Sequence, residues 1–370
     1  MTLSRAYLNN GIFALVLAGL IGLLGCARFS GSQPQEASVG PVRNLRIAVL
    51  PVNNLSGMPG PLKDLRQAII RGLTERGAVL LAEEELEKFM ARHRLRYTGG
   101  LNSDVSLALK KETGADAVFI TSLELYKESS PPKIALTQRL VSTGTDQRIL
   151  WIDGRGLSGD DSPGILGLGL IMDPRRLMEK AVHSLLDSLF GEEGGATFEK
   201  RFKPLVMFRS FVFSPTLKYR VAVIPFSNLS GKKNAGEIIG LEFVRAMASL
   251  RNFEIIEPGD VALTMLRTRL ILDQGPSLAQ TDILFDFLKV DLILCGTVFI
   301  YEDFQGDRGA PRLEFSTQLI EKKRREVVWS SFSSKAGDDG VFFFNAGRIN
   351  TVQALAARMT GLTVKFMVQE

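Results

Sequence analysis

The sequence predicts an α/β protein built from two tandem copies of one module, each a mixed β-sheet covered by helices. The first observation behind this is a repeat: the segment 47–57, IAVLPVNNLSG, recurs at 221–231 as VAVIPFSNLSG. The second is that further matches between the two copies occur in the same order along the chain. Trp151 matches Trp329, and the Gly-Asp-Asp segment 159–161 matches 337–339. The third is that each copy alternates buried strands with amphipathic helices and then continues as a meander, the pattern of a mixed sheet.

Each copy is expected to run β-α-β-α-α-β-β-β-α. The first strand is apolar on both faces, as in a central strand, and it ends in a proline where the lost backbone donor matters least. A turn, an amphipathic helix, a short strand and two helical segments follow. A third strand, a hairpin and a final helix complete the copy. The predicted strands are 46–51, 78–82, 117–123, 134–141 and 148–153 in the first copy, and 220–225, 253–257, 292–300, 313–320 and 326–331 in the second.

The amino-terminal segment is predicted to be a signal peptide. Its apolar run, 11–24, is shorter than the roughly 20 residues that a membrane-spanning helix needs. The run ends in Leu23, Leu24, Gly25 and Cys26, which resembles the lipobox of bacterial lipoproteins. The resemblance implies that Cys26 receives a diacylglycerol and becomes the new amino terminus. An uncleaved membrane anchor with an incidental cysteine is the alternative.

The domain organisation follows from these features. We expect a signal peptide over 1–25, a lipidated Ser/Gly/Pro-rich tether over 26–44, a first module over 45–190, a connection over 191–216 and a second module over 217–370. The chain carries 45 Lys and Arg against 40 Asp and Glu. No basic stripe is interleaved with aromatic residues, so nucleic acid is not an expected partner.

Both copies resemble a group of envelope modules. The signature is the strand and turn quoted above, a central strand such as 114–120, GADAVFI, and a hairpin that ends in a tryptophan strand. This looks like the curli-secretion channel lipoprotein, the amino-terminal domain of TolB and the lipoprotein activator of penicillin-binding proteins. The resemblance implies protein–protein contact in the periplasm without chemistry. The hairpin turns here are short and polar, so the long hairpins of a membrane pore are not expected.

Signals for an enzyme are nearly absent. The two histidines lie apart with no ligand spacing, and no cofactor or metal is expected. Asn54, Ser56, Asn228 and Ser230 follow the carboxyl end of a strand, where open α/β sheets bind ligands. The same residue types also cap turns and helices, and both interpretations stay open.

A second candidate site follows the tryptophan strand of the second copy. Three adjacent phenylalanines stand directly behind two acidic residues, and successive side chains cannot all face one core. We expect an inter-module or inter-protein contact with an acidic rim, and core packing under the last helix is the alternative. The residues are Asp338, Asp339, Phe342, Phe343 and Phe344.

The sequence therefore predicts a non-enzymatic, membrane-anchored lipoprotein that binds or scaffolds envelope proteins. It is expected at the outer membrane facing the periplasm, because Ala27 rather than aspartate follows Cys26. A subunit of a curli-channel-like export assembly and a small-ligand sensor using the Asn-Leu-Ser-Gly loops are the alternatives. Homo-oligomerisation is left open.

Overall fold

Two mixed β-sheets with helices on their faces make up the described part of the chain, so the predicted α/β fold is confirmed. The computed structural model describes residues 42–162, 169–191, 199–270, 275–304, 309–341 and 347–369. Among the helices of these residues, none is long and apolar enough to cross a membrane.

The first module follows the predicted element order, with one added two-residue strand. Its elements are β1 (Arg46–Val49), β2 (Asn53–Asn54), α1 (Leu62–Glu75), β3 (Val79–Leu80), α2 (Glu83–Arg92), α3 (Ser103–Thr113), β4 (Ala117–Lys127), β5 (Lys133–Ser142), β6 (Ile149–Ser158) and α4 (Pro174–Leu189). The strand order is β3-β1-β4-β5-β6, and β2 pairs with β4. The strand β1 pairs in parallel with β3 and β4, and β2 pairs in parallel with β4. The strands β4, β5 and β6 form the antiparallel meander.

The second module repeats this topology. It contains β8 (Tyr219–Val223), β9 (Ser227–Asn228), α5 (Ala235–Ala248), β10 (Phe253–Ile255), α6 (Pro258–Thr268), α7 (Leu278–Leu288), β11 (Leu292–Glu302), β12 (Arg312–Glu321), β13 (Glu326–Ala336) and α8 (Val352–Val368), and β7 (Val206–Arg209) precedes them. The strand order β10-β8-β11-β12-β13 matches that of the first sheet. The strand β7, which the sequence pattern did not predict, pairs antiparallel with β13 and extends the second sheet by one edge strand.

Helices cover the two faces of each sheet in the same way. In the first module, α1 and α4 pack on one face, while α2 and α3 cover part of the other. In the second module, α5 and α8 take the places of α1 and α4, and α6 and α7 take those of α2 and α3. Each sheet therefore has one fully covered face and one that its own helices cover only in part.

The partly covered face of the first sheet rests on the second module. The strand β6 packs against α5 and α8, so this helix pair lies between the two sheets. Close approach requires small residues on β6. A Cβ added to Gly156 would come within 2.5 Å of the Thr351 hydroxyl oxygen, and one added to Gly154 within 3.2 Å of a Glu242 carboxylate oxygen.

A buried ion pair crosses the same contact. Arg139 on β5 and Glu257 at the start of α6 both have fully buried side chains, and the guanidinium donates to both carboxylate oxygens at 3.2 and 2.9 Å. The contact between the modules is thus a packed and charge-paired interior. The two modules accordingly fall within one compact unit, residues 39–370.

The sequence predicts that Cys295, Trp151 and Trp329 are largely buried. Cys295 and Trp329 are, with exposures of 4 % and 1 %. Trp151 is only partly buried, so that expectation was wrong for it. The reason is its position on β6, which is an edge strand, whereas β7 shields the equivalent strand β13.

Candidate functional site

Equivalent faces of the two sheets are covered to different degrees. Strand register fixes the equivalence, because Leu140 lies opposite Trp151 in the first sheet and Leu319 opposite Trp329 in the second. The first-sheet face that rests on α5 and α8 thus corresponds to the second-sheet face beside α6 and α7. We call the part of that second face not covered by α6 and α7 the open face. Its residues are Val206, Phe208, Leu229, Thr297, Phe299, Ile300, Arg312, Glu314, Ser316, Gln318, Ser330, Phe332 and Ser334.

Equivalent positions show how different the two faces are. Leu55 in the first module is 4 % exposed, whereas its counterpart Leu229 is 65 % exposed. Glu124 and Phe299 occupy the same bulge in β4 and β11, with exposures of 1 % and 38 %. The position that carries a buried carboxyl in the first module therefore carries a solvent-facing aromatic ring in the second.

An apolar strip runs across the open face. The rings of Phe299 and Phe332 lie 6.0 Å apart, centroid to centroid. The edge strand β7 extends the strip, since Val206 pairs with Phe332 and Phe208 with Ser330. Both Val206 and Phe208 are exposed. Apolar residues grouped in this way on a surface are typical of a contact site.

Hydroxyl groups surround the strip. Ser316, Ser330 and Ser334 stand on the central strands of the face and are all half-buried. Arg312 and Gln318 are exposed at its margin. An apolar centre with a polar margin is the usual composition of a protein–protein interface.

The helix layer at the other end of the molecule does not complement this face. The helices α5 and α8 have no exposed residue, because sheets lie on both sides of them. The helices α1 and α4 instead present charged side chains to solvent, among them Lys63, Asp64, Arg71, Arg175, Arg176, Glu179 and Lys180. Seating these charges on an apolar sheet would desolvate them without partners.

The Asn-Leu-Ser-Gly loops are internally hydrogen-bonded turns. The Asn54 side-chain oxygen accepts from the main-chain nitrogen of Ser56 at 3.1 Å and from its hydroxyl at 2.7 Å. Asn228 and Ser230 repeat both bonds with the same lengths. These bonds are what a capped turn requires, so turn formation accounts for both residue types.

The first of these loops also contacts the second module. The Asn234 side chain donates to the carbonyl oxygen of Leu55 at 3.2 Å, and Lys232 donates to the carbonyl oxygen of Ser56. Ser56 is buried, whereas Ser230 is half-buried. The structure thus brings the first loop next to the segment that follows the second loop.

The Gly-Asp-Asp segments are turns at the ends of β6 and β13. The carboxylates of Asp161 and Asp339 each accept a hydrogen bond from the main-chain nitrogen three residues earlier, at 2.8 and 3.0 Å. A Cβ on Gly337 would lie 2.3 Å from a carbonyl oxygen, so the returning chain leaves room only for glycine. Asp338 is exposed beside this turn.

The other residues predicted as functional lie outside the described residues. They are Leu23, Leu24, Gly25 and Cys26 of the lipobox-like segment, and Phe342, Phe343 and Phe344. Within the described residues, no three His, Cys, Asp or Glu side chains form a group that could hold a metal ion.

The sequence pattern did not predict the open face. A single copy of the repeat does not show which of its faces a second copy will cover. The available signal was the contrast between the helices: α5 and α8 are apolar almost all round, whereas α1 and α4 are amphipathic. A helix that is apolar all round is buried on every side.

Comparison with known proteins gives fold likenesses only. No protein-family model matches this chain, and no curated protein matches it. Among solved structures, the PelC dodecamer from Paraburkholderia phytofirmans matches with a TM-score of 0.31 and 14 % identity, over 45 % of this chain and 97 % of that one.

Two further matches are of similar strength. The lipoprotein GNA1162 from Neisseria meningitidis has a TM-score of 0.28 and 19 % identity, over 39 % of this chain and 99 % of its own. The LpoB C-terminal domain from Salmonella enterica has a TM-score of 0.26 and 17 % identity, over 30 % of this chain and 82 % of its own. The matched structures thus include a lipoprotein, and at these TM-scores they assign the chain to no family.

Proposed function

We propose that this protein is a non-enzymatic lipoprotein of the cell envelope whose second module binds another envelope protein through the open face. The observation that carries the proposal is the contrast between equivalent faces. The first sheet has its face covered by α5 and α8, while the second sheet presents the same face, with an apolar strip, to solvent. Cys26 supplies the membrane anchor in this proposal, at the outer membrane and facing the periplasm.

The covered face indicates what kind of surface fits the open one. In the first module the covered face packs against α5 and α8, two helices without an exposed residue, and glycines on β6 let these helices approach closely. On the open face, Phe332 and Ser334 stand in place of Gly154 and Gly156. The partner is therefore a protein that presents an apolar helical surface, with room for the Phe332 ring between its side chains.

A second copy of this chain fits the open face poorly. Head-to-tail addition of another first module, repeating the internal contact, would place the charged exterior of α1 and α4 on the apolar strip. Burying unpaired charges costs several kcal/mol for each ion. A ring or filament built from this contact is therefore disfavoured, and a different protein is the expected occupant.

Site-specific photo-crosslinking in cells tests the proposal. A photoreactive phenylalanine analogue is placed at Phe208, or at Leu266 as the control, an exposed apolar position on α6. One envelope protein should crosslink from position 208 and not from 266. Its complex with the purified chain should then be lost on Phe332→Asp and Phe299→Asp, and kept on Leu266→Asp.

The other outcomes count against the proposal. Adducts to the chain itself would identify the face as a homo-oligomer contact, and adducts to lipid alone would identify a membrane contact. Equal adducts from both positions would mean that the open face has no selective partner. Near-ultraviolet circular dichroism of each Asp variant establishes that loss of the complex is not loss of folding.

The anchor is tested separately. Metabolic labelling with a radioactive fatty acid should mark the wild type, whereas Cys26→Ser should lose the label and accumulate as unprocessed precursor. A labelled Cys26→Ser protein would contradict the lipid attachment and leave the docking proposal untouched.

A further inference from the structure

A cavity of about 780 Å³ lies where the first Asn-Leu-Ser-Gly loop meets the end of β4 and the second module. Its walls are largely apolar, with Met58, Pro61 and Leu125 among them. Two lysines, Lys127 from β4 and Lys232 from the segment before α5, contribute the cationic groups of the lining. The volume is in the range of small-molecule sites, which are mostly apolar with a few positioned polar groups.

The cationic charge at this cavity is not balanced. Asp303 is the carboxylate beside it, and its Oδ1 lies 3.1 Å from Lys133 Nζ, which two main-chain carbonyl oxygens also hold at 2.8 and 2.7 Å. Lys127 Nζ is 3.8 Å from the other carboxylate oxygen of Asp303. Lys232 donates to the Ser56 carbonyl oxygen, and no carboxylate of the described residues lies within ion-pair distance of it. Lys127 and Lys133 thus share the Asp303 carboxylate, and the Lys232 ammonium group forms no ion pair among the described residues.

Burial and mutual repulsion act on these lysines. Burial lowers the pKa of Lys232 and the neighbouring charge of Lys127 lowers it further, against the opposing attraction of Asp303 and Glu124. Burial also lowers the pKa of Lys127, against the opposing attraction of Asp303. Glu128 lines the cavity too, but it is exposed at the rim. An anion between the two ammonium groups would relieve their repulsion.

We infer that this cavity binds a small organic anion, with its carboxylate or phosphate between Lys127 and Lys232 and its apolar body against Met58, Pro61 and Leu125. At the equivalent position of the second module, Glu302 stands in place of Lys127. The first Asn-Leu-Ser-Gly loop contributes to this site because the loop lies at the contact between the modules. Asn54 and Ser56 hold the turn that shapes the wall and do not contribute the charge.

Calorimetric titration of the full chain in lipid nanodiscs tests the inference. The probes are phenyl phosphate, hexanoate, inorganic phosphate, and benzylamine as a cation of similar apolar body. We expect phenyl phosphate and hexanoate to bind, inorganic phosphate to bind more weakly for lack of an apolar body, and benzylamine not to bind. Lys127→Gln and Lys232→Gln should each weaken phenyl phosphate binding at least about tenfold, while exposed Lys233→Gln should leave it unchanged.

A charge-retaining variant keeps the test decisive. Lys232→Arg should bind phenyl phosphate, which separates the role of the charge from a disturbance of the contact between modules. Absence of binding by both organic anions would overturn the inference. So would binding of benzylamine as tight as that of phenyl phosphate, or unchanged affinity in the double variant Lys127→Gln/Lys232→Gln. None of these results bears on the open face, which contains neither lysine.

Discussion

Replacing Arg139 by methionine should lower the free energy of unfolding by about 3–5 kcal/mol, the usual cost of breaking a buried ion pair. The guanidinium is fully buried and donates to both oxygens of Glu257, and also to the carbonyl oxygen of Gly99. Without it, the buried carboxylate of Glu257 keeps, among the described residues, only a 3.4 Å hydrogen bond from the main-chain nitrogen of Gly259. The loss is therefore dominated by an uncompensated buried charge.

Urea unfolding followed by tryptophan fluorescence measures this cost, because a linear extrapolation gives the free energy of unfolding in water. The double variant Arg139→Met/Glu257→Gln should recover much of the loss, since it removes the orphaned charge together with its partner. The repeat supplies a matched control. Gln318 occupies the place of Arg139 in the second sheet and is exposed, so Gln318→Met should change stability by less than about 0.5 kcal/mol.

Two results would refute the reasoning. A cost below about 1 kcal/mol for Arg139→Met would mean that Glu257 is solvated and the contact between modules is open in solution. A double variant as unstable as the sum of the single variants would mean that the two side chains do not interact.

Three further predictions follow from buried positions. Gly156→Ala should cost about 1–3 kcal/mol because its Cβ would clash with the start of α8, whereas Ser334→Ala at the equivalent position of the second sheet should be near neutral in the same unfolding assay. Burial and the neighbouring carboxylate of Glu242 raise the pKa of Glu124, so stability present below the ordinary glutamate pKa should be lost as pH rises through the raised pKa. Glu124→Gln should therefore flatten the dependence of melting temperature on pH above the ordinary glutamate pKa, and exposed Glu75→Gln should not. Burial raises the pKa of the Cys295 thiol to about 12, so a thiol reagent at pH 8 should label it only after denaturation, and rapid labelling of the folded protein would contradict its burial.

Much of each module could be predicted from the sequence because its signals are local. Hydrophobic alternation, turn residues and the internal repeat place the strands and helices in the right order. The errors lie where tertiary contact overrides the local pattern. The strand β6 extends to Ser158, five residues beyond its predicted end. The prediction ended early because Gly154 and Gly156 lower strand propensity. Both glycines are nevertheless needed in this strand, because α5 and α8 approach it closely.

The candidate site was harder to predict because it depends on how the modules stack. The Asn-Leu-Ser-Gly loops and Gly-Asp-Asp segments stand out in the sequence, yet their side chains are used within their own turns. Phe299 and Phe332 lie in strands that resemble buried ones. They are exposed because, in the described part of the chain, no helix pair covers their face as α5 and α8 cover the equivalent face of the first sheet. Lys127 and Lys232 are about a hundred residues apart in sequence, so their approach could not be inferred from spacing.

The stacking of the two modules gives the molecule two unlike ends. A stack of repeated units buries each internal face, and its terminal units need polar outer surfaces to stay soluble. The charged exterior of α1 and α4 meets that requirement at the first end. The second end does not meet it, since Phe208 and Leu229 are more than half exposed. Because exposing such residues brings no stability to the chain alone, the face that carries them is best explained as the contact surface of a partner protein.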